Sequence, residues 1–209
     1  TEVILQLLDF LPVEEVFRQL NGMFAIAVVD IQAKELHLTR DFAGIKPLFF
    51  GESKEGVVFA SQFDQVFKHP WFQKQLSLRS EIIKEFFAFG YMQAPNTVFK
   101  HIYQVLPGEY IRVNERELVK KRITEFSREF ISQKVKNIDL QAKLNEAVQL
   151  QLQSDRSLAS FLSGGVDSPL ITAYAKKSKR EIQAFTLEIN DKSYNEADYA
   201  KKYAKELDV

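Results

Sequence analysis

Residues 161–168 read Phe161-Leu162-Ser163-Gly164-Gly165-Val166-Asp167-Ser168, and this stretch decides the second half of the chain. A short apolar strand, Leu158 to Leu162, runs into Ser163-Gly164-Gly165, and a helix follows from Ser168-Pro169 to about Ser178. Two glycines turn the backbone without side-chain obstruction, so consecutive amides form an anion-binding nest. The helix N-terminus adds about half a positive charge. Ser163 and Ser168 can donate hydroxyl hydrogen bonds to phosphate oxygens. Asp167 would be repelled by a bare phosphate, so a Mg²⁺ bridging its carboxylate and the phosphates is the natural explanation. Pro169 falls in the first helical turn, where a missing N–H costs nothing. The Lys-Ser/Thr pair of a Walker A loop is missing. Without that lysine, the loop suits holding a pyrophosphate leaving group better than transferring a terminal phosphate. The plain alternative is a tight strand-to-helix connection with a capping serine.

Working outward, the flanking segments alternate. Leu140, Leu144, Val148 and Leu152 recur every fourth residue on a helix capped by Asp139. Ile182 to Ile189 reads as the next strand and Glu196 to Leu207 as the next helix. Helix, strand, helix, strand, helix is an α/β unit with a parallel sheet. The glycine loop then lies at the carboxyl end of the first strand, where open sheets bind ligands. Residues 127–138 are polar and poor in hydrophobic anchors, which marks a linker.

Upstream of that linker the grammar is different. Val3, Ile4, Leu7 and Leu8 make a helical stripe that ends before Pro12, and Val13 to Leu20 fits a second short helix. Phe24 to Ile31 is a continuous apolar run, the pattern of a strand buried on both faces, and Leu36 to Thr39 pairs with it. Leu48–Phe50 and Val57–Ala60 form a second hairpin. Ser61 reads as the N-cap of a short helix closed by His69-Pro70, and Ser80 as the cap of a helix through Phe89 that Gly90 stops. The Phe87, Phe89 and Tyr91 rings are expected to pack rather than to stack on bases. Ile102 to Val113 and Leu118 to Phe126 read as two late strands. Arg40-Asp41 before Gly44 reads as an ion pair ordering a turn between strands.

Composition sets the outer limits. The 209 residues are 45% apolar and 27% charged, ordinary for a globular protein, and 18 phenylalanines supply ample core material. Lys+Arg and Asp+Glu are both 28, so the net charge is zero and a dedicated nucleic-acid binder is disfavoured. No apolar run approaches the roughly 20 residues of a bilayer span, and no basic-then-apolar leader is visible. No membrane partner and a cytoplasmic location are therefore expected. The absence of cysteine excludes disulfides, thiolate zinc sites and a cysteine nucleophile within these residues. His37, His69 and His101 are scattered, with no metal-ligand spacing. Lys176, Lys177, Lys179 and Arg180 read as a solvated helix end that complements the dipole.

Ser163-Gly164-Gly165-Val166-Asp167-Ser168 resembles the pyrophosphate loop of the ATP-pyrophosphatase superfamily, and the match is closest to glutamine-dependent asparagine synthetases. The first half agrees independently. Gly22-Met23-Phe24-Ala25, Arg40-Asp41-Phe42-Ala43-Gly44-Ile45-Lys46-Pro47-Leu48 and Phe59-Ala60-Ser61 resemble that family's glutaminase domain. Ala94-Pro95-Asn96-Thr97-Val98-Phe99 and Leu106-Pro107-Gly108-Glu109-Tyr110 resemble its closing segment. The resemblance implies an α+β piece of layered sheets of the N-terminal-nucleophile amidohydrolase type over residues 1–126. A linker at 127–138 would follow, and then the start of an α/β synthetase domain of the adenine-nucleotide alpha hydrolase type at 139–209.

The activity it implies is amidation of aspartate to asparagine with glutamine as nitrogen donor and ATP. The intermediate would be β-aspartyl-AMP, and the by-products AMP and pyrophosphate. L-Aspartate, L-glutamine and ATP are then the small-molecule partners, Mg²⁺ the metal, and a homodimer of the full-length protein the expected assembly. Carried over residue by residue, Ser163, Gly164, Gly165, Asp167 and Ser168 would hold the pyrophosphate, with Asp167 on Mg²⁺. Leu162 at the strand end and Leu187 on the second α/β strand match positions that touch the adenylate.

Departures from the pattern are informative. The nucleophilic cysteine and the upstream glutamine-gripping residues are absent, so no catalytic residue is assigned in this chain, which reads as an excerpt unable to perform either half-reaction alone. Gln62 stands where the family usually has glutamate, and Pro169 replaces a small polar residue. Thr1 as an N-terminal nucleophile is disfavoured, because it opens a helical stripe rather than a strand. Two other readings stay open. One is a lactam-forming or other ligase on the same scaffold with a structural first domain; the other is a non-enzymatic remnant.

Overall fold

Alternating apolar residues on both sides of short turns build the first half. The computed structural model describes residues 2–123, 139–178, 181–191 and 193–209. The chain divides into two units, Thr1–Phe130 and Ile131–Val209. The expected linker at 127–138 and residues 124–126 of the last expected strand lie outside the described residues.

In the first unit, β1 (Ala25–Asp30), β2 (Glu35–Arg40), β6 (Glu109–Val113) and β7 (Leu118–Arg122) form an antiparallel sheet in the order β1-β2-β6-β7. A second antiparallel sheet has the order β4-β3-β5, from β3 (Phe49–Glu52), β4 (Val57–Ala60) and β5 (Ile102–Gln104). Because side chains alternate along a strand, each sheet offers two faces. Leu38 and Ile111 of the first sheet meet Leu48, Phe50 and Val105 between the sheets. On the outer face of the first sheet, Phe17 of α2 (Val13–Gln19) packs with Tyr110 and Ile123. On the outer face of the second, Val66 of α3 (Phe63–Phe67) and Phe72 of α4 (Pro70–Gln73) pack with Ile102. Helix, sheet, sheet, helix is the layered α+β architecture that the resemblance implies. The initial helix α1 (Glu2–Leu8) buries no residue.

Several local expectations are corrected here. β1 is an edge strand rather than one buried on both faces: Ile26 and Val28 face α2, while Val29 is exposed. On that side only Ala25, at the start of β1, packs on the core between the sheets. Ser61 and Ser80 do not cap α3 and α5 (Ser80–Phe89); Gln62 and Arg79 occupy the cap positions, without side-chain capping bonds. His69-Pro70 opens a helix instead of only closing one, since the His69 ring accepts the Trp71 amide and Pro70 fills the first turn. The stretch 102–113 is two strands in different sheets, broken at Leu106-Pro107-Gly108. The aromatics expected to pack near the end of α5 are exposed: Phe87, Phe89 and Tyr91 are 82%, 68% and 59% accessible. Of the residues in α5, only Ile82 is buried. Gly90 terminates it in the left-handed conformation, as expected.

Arg40 and Asp41 order the turn after β2, but not by pairing with each other. The buried Arg40 guanidinium donates to the carbonyls of Lys46 (2.7 Å), Val105 (2.8 Å) and Gly44. The fully buried Asp41 carboxylate accepts the amides of Ile45 and Lys46, both at 2.9 Å. Gly44 has φ +65°, and a Cβ there would lie 2.8 Å from Pro107 Cγ and 3.2 Å from Arg40, so only glycine fits. Among the described histidines, His37 is buried with Nδ1 2.8 Å from the Tyr110 hydroxyl.

The second unit is an α/β piece. β8 (Ala159–Phe161) and β9 (Gln183–Phe185) pair in parallel through a crossover that contains α7 (Asp167–Ser178). The helix α6 (Leu140–Gln151) starts at Asp139, whose side chain accepts the Ala142 amide, as expected. Val148 of α6, Ala175 of α7 and Ile182 form its core cluster. The helix α8 (Ala197–Leu207) packs on α7, and Lys176 binds Asp208 beyond its end. Lys179 and Arg180 of the expected basic run lie outside the described residues. Among the described residues, no helix is long and apolar enough to cross a membrane.

The Asp41 arrangement makes a pH-dependent stability prediction. Burial works against its charge, but the amides of Lys46 and Ile45 and the nearby Arg40 guanidinium outweigh it, holding the carboxyl below its ordinary value. A depressed folded-state pKa contributes stability above the unfolded value of about 3.9, and that contribution is lost as pH falls through the lower folded value. Asp41→Ala should destabilise the first unit by about 2–4 kcal/mol near neutral pH in denaturant titrations. The gap from wild type should narrow below about pH 4; a gap independent of pH would contradict the charged role.

Candidate functional site

The parallel pair of β8 and β9 sets the position of the glycine loop. The Leu162 amide donates to the Phe185 carbonyl at 2.8 Å, which extends the ladder one residue past β8 and buries Leu162. The chain then turns through Ser163–Val166 into α7. Thr172, fully buried one turn into that helix, donates to the Ser168 carbonyl at 2.8 Å. Its hydroxyl also lies 2.7 Å from that of Ser160 on β8, so the first turn of α7 is tied back to the strand that precedes it. Pro169 is buried in this turn.

The backbone donors divide into two sets. The Ser163 amide donates to Ser168 Oγ at 2.8 Å, and the two serine hydroxyls lie 2.8 Å apart. The Gly165 amide reaches Ser163 Oγ at 3.3 Å, and the Gly164 amide donates to Glu196 Oε2 at 3.0 Å. The unobstructed nest expected from the sequence is therefore partly filled by the protein's own oxygens. The amides of Val166, Asp167 and Ser168 precede the first intrahelical bond, Leu170 N to Val166 O at 3.2 Å. They are the orphan donors of a helix start, and the macrodipole adds positive potential there.

Beside the loop lies an open cavity of about 400 Å³. Leu162, Ser163 and Ser168 line it from the loop side, and Leu187 lines it from the segment after β9. Phe161 and Phe185 at the strand ends and Tyr194 and Glu196 before α8 also line it. Four of the seven residues assigned from sequence thus meet at one cavity. Gly164, Gly165 and Asp167 do not line it; they belong to the adjacent turn, where Asp167 is exposed. Leu187 lies two residues beyond the end of β9, not on a strand, and is 77% exposed. Sequence reading missed Glu196 altogether, because its contact with Gly164 spans 32 positions and no local pattern announces it.

A single carboxylate at the start of a helix fits Mg²⁺, which keeps most of its waters and takes one or two protein carboxylates together with phosphate oxygens. Asp167 fits that description, in the first turn of α7. Among the described residues, no group of three or more metal-binding side chains occurs.

Residues 1–124 match the family model described as glutamine amidotransferase domain. The chain belongs to that family. Residues 139–209 match a second model, asparagine synthase. Among curated relatives, the chain is 27% identical over 201 residues to "Asparagine synthetase [glutamine-hydrolyzing] 1" of Bacillus subtilis (strain 168), covering 94% of this chain and 31% of that protein. It is 31% identical to "Asparagine synthetase [glutamine-hydrolyzing] 2" of the same organism, covering 89% of this chain and 27% of the relative. The chain spans less than a third of the length of these two relatives. A solved glutamine phosphoribosylpyrophosphate amidotransferase from B. subtilis is similar with TM-score 0.41 and 17% identity, over 92% of this chain and 40% of that one.

The glycines separate fold from binding. A Cβ on Gly164 would lie 3.0 Å from the Cβ atoms of both Glu196 and Tyr199, whereas on Gly165 it would meet only Ser163 Oγ at 3.5 Å. Gly164→Ala should therefore loosen α8 from the loop and lower the thermal midpoint by a few degrees, about 1 kcal/mol or more. Gly165→Ala should leave the midpoint within about 0.5 kcal/mol of wild type. Equal effects in thermal unfolding would contradict the packing assigned to Gly164.

Proposed function

We propose that this chain is part of a glutamine-dependent asparagine synthetase that activates the side-chain carboxylate of L-aspartate with ATP. The observation that carries the reading is the row of amides at Val166–Ser168 that have no partner among the described residues, at the start of α7 and beside the cavity lined by Leu162 and Leu187. Those amides suit the oxygens of the pyrophosphate portion of ATP. Leu162 and Leu187 suit the faces of the adenine, and the cavity volume of about 400 Å³ lies within the range of small-molecule sites.

The reaction has a simple balance. An oxygen of the aspartate side chain attacks the α-phosphorus of ATP, the bond to the β,γ-diphosphate breaks, and pyrophosphate leaves as β-aspartyl-AMP forms. Ammonia then attacks the acyl carbon, AMP departs, and asparagine forms. Amides fixed at a helix start need no reorganisation as charge grows on the leaving diphosphate, which is how a preformed dipole lowers a barrier. Ser163 and Ser168 add hydroxyls at the same corner. Mg²⁺, held by Asp167, would neutralise part of the diphosphate charge. No residue of this chain is assigned to glutamine cleavage, since the sequence has no cysteine. The first unit supplies layered sheets of the amidotransferase type.

ATP–pyrophosphate exchange in the intact protein tests this reading. Exchange should require L-aspartate. It should fall at least about 100-fold in Asp167→Ala, on the scale of losing one principal electrostatic contact, with the folded structure retained. Gly165→Ala should weaken ATP binding, because a methyl group would intrude on the approach to the backbone. Exchange unaffected by Asp167→Ala would remove the metal role, and exchange independent of aspartate would remove the substrate.

A further inference from the structure

The Gly164 amide already carries an anion of the protein's own. Glu196 Oε2 accepts it at 3.0 Å, and the same side chain lines the cavity beside the loop. Glu196 has little else to do. It occupies the N-cap position of α8 but its carboxylate caps nothing, and Asn195 Oδ1 accepts the Ala197 amide instead, at 3.1 Å. Among the described residues it makes no ion pair, and it is exposed. Gly164 is what lets it reach: the absence of a Cβ allows the Glu196 and Tyr199 Cβ atoms to approach the turn closely. A carboxylate free to leave is seated on the Gly164 amide; the Gly165 amide is held by Ser163, and the Val166, Asp167 and Ser168 amides that follow have no partner among the described residues, so the carboxylate occupies ground that an incoming anion would contest.

We propose that Glu196 is a displaceable anion that sets the affinity of the 163–168 loop for diphosphate. The inference rests on the diphosphate reading of that loop. In the free protein the carboxylate satisfies the Gly164 amide and holds the turn against α8. An entering diphosphate brings like charge to the neighbouring amides, so the carboxylate must swing out or be endured at close range. Either way it lowers affinity for the anion and favours release of pyrophosphate once formed. No covalent bond changes in this step.

The test uses inorganic pyrophosphate with Mg²⁺ as the probe, titrated calorimetrically into the intact protein. Glu196→Gln keeps an oxygen that can accept the Gly164 amide and removes the charge; Glu196→Ala frees the amide. Both should bind pyrophosphate about three- to tenfold more tightly than wild type at low salt. The advantage of Glu196→Gln should shrink as ionic strength rises from roughly 0.05 to 0.5 M. In the free protein, the Gly164 amide resonance should shift between wild type and Glu196→Gln while amides of the first unit stay in place, which also establishes that the variant is folded. Unchanged affinity, or an indifferent Gly164 resonance, would overturn the proposal while leaving the loop as a diphosphate site. Weaker binding in the presence of Mg²⁺ would make Glu196 a metal ligand and overturn it too. If neither wild type nor the variants bind pyrophosphate, the loop reading falls, and this inference with it.

Discussion

A backbone group that leaves a sheet must find another partner close by, and in both units the segment just after a strand meets that requirement with side chains. After β2, Arg40 donates to three carbonyls while Asp41 accepts two amides, so one buried pair of adjacent residues satisfies a whole turn. After β8, Ser168 accepts the Ser163 amide, Ser163 accepts the Gly165 amide, and Glu196 reaches across to Gly164. The difference between the turns lies in what remains. The first is tied to two buried side chains, Arg40 and Asp41; in the second, the amides of Val166, Asp167 and Ser168 at the start of α7 have no hydrogen-bond partner among the described residues.

The frame around the open turn is small. Two parallel strands of three residues each, one buried threonine and the packing of α8 against Gly164 fix its position. The hydroxyl chain from Ser160 through Thr172 to the Ser168 carbonyl couples the strand to the first helical turn without using any of the outward amides. Rigidity of the loop and availability of its donors are therefore compatible.

Much of this was legible in the sequence where the governing contacts are local. The Asp139 cap, the Gly90 stop, the hairpins and the strand-turn-helix around Gly164 are each set by residues within a few positions of one another. Serines before helices misled, because Ser61 and Ser80 have neighbours, Gln62 and Arg79, whose backbone takes the cap position. The apolar run of β1 suggested burial on both sides, but burial depends on how far the facing sheet extends, which no single strand encodes. The packing expected of Phe87 and Phe89 also fails, since both are exposed at the end of α5. Of the site, the loop residues were visible as a motif, while Leu187 was assigned to a strand that ends before it and Glu196 was invisible. Contacts across long sequence separations are where a reading from pattern stops.

The central claim is that the start of α7 receives the phosphates of ATP. Amide and methyl resonances of the intact protein, followed during titration with MgATP, address it most directly. The account requires the largest shifts at the Val166, Asp167 and Ser168 amides, together with the methyl groups of Leu162 and Leu187. Binding of MgATP with those signals unmoved, or no binding at all, would contradict it.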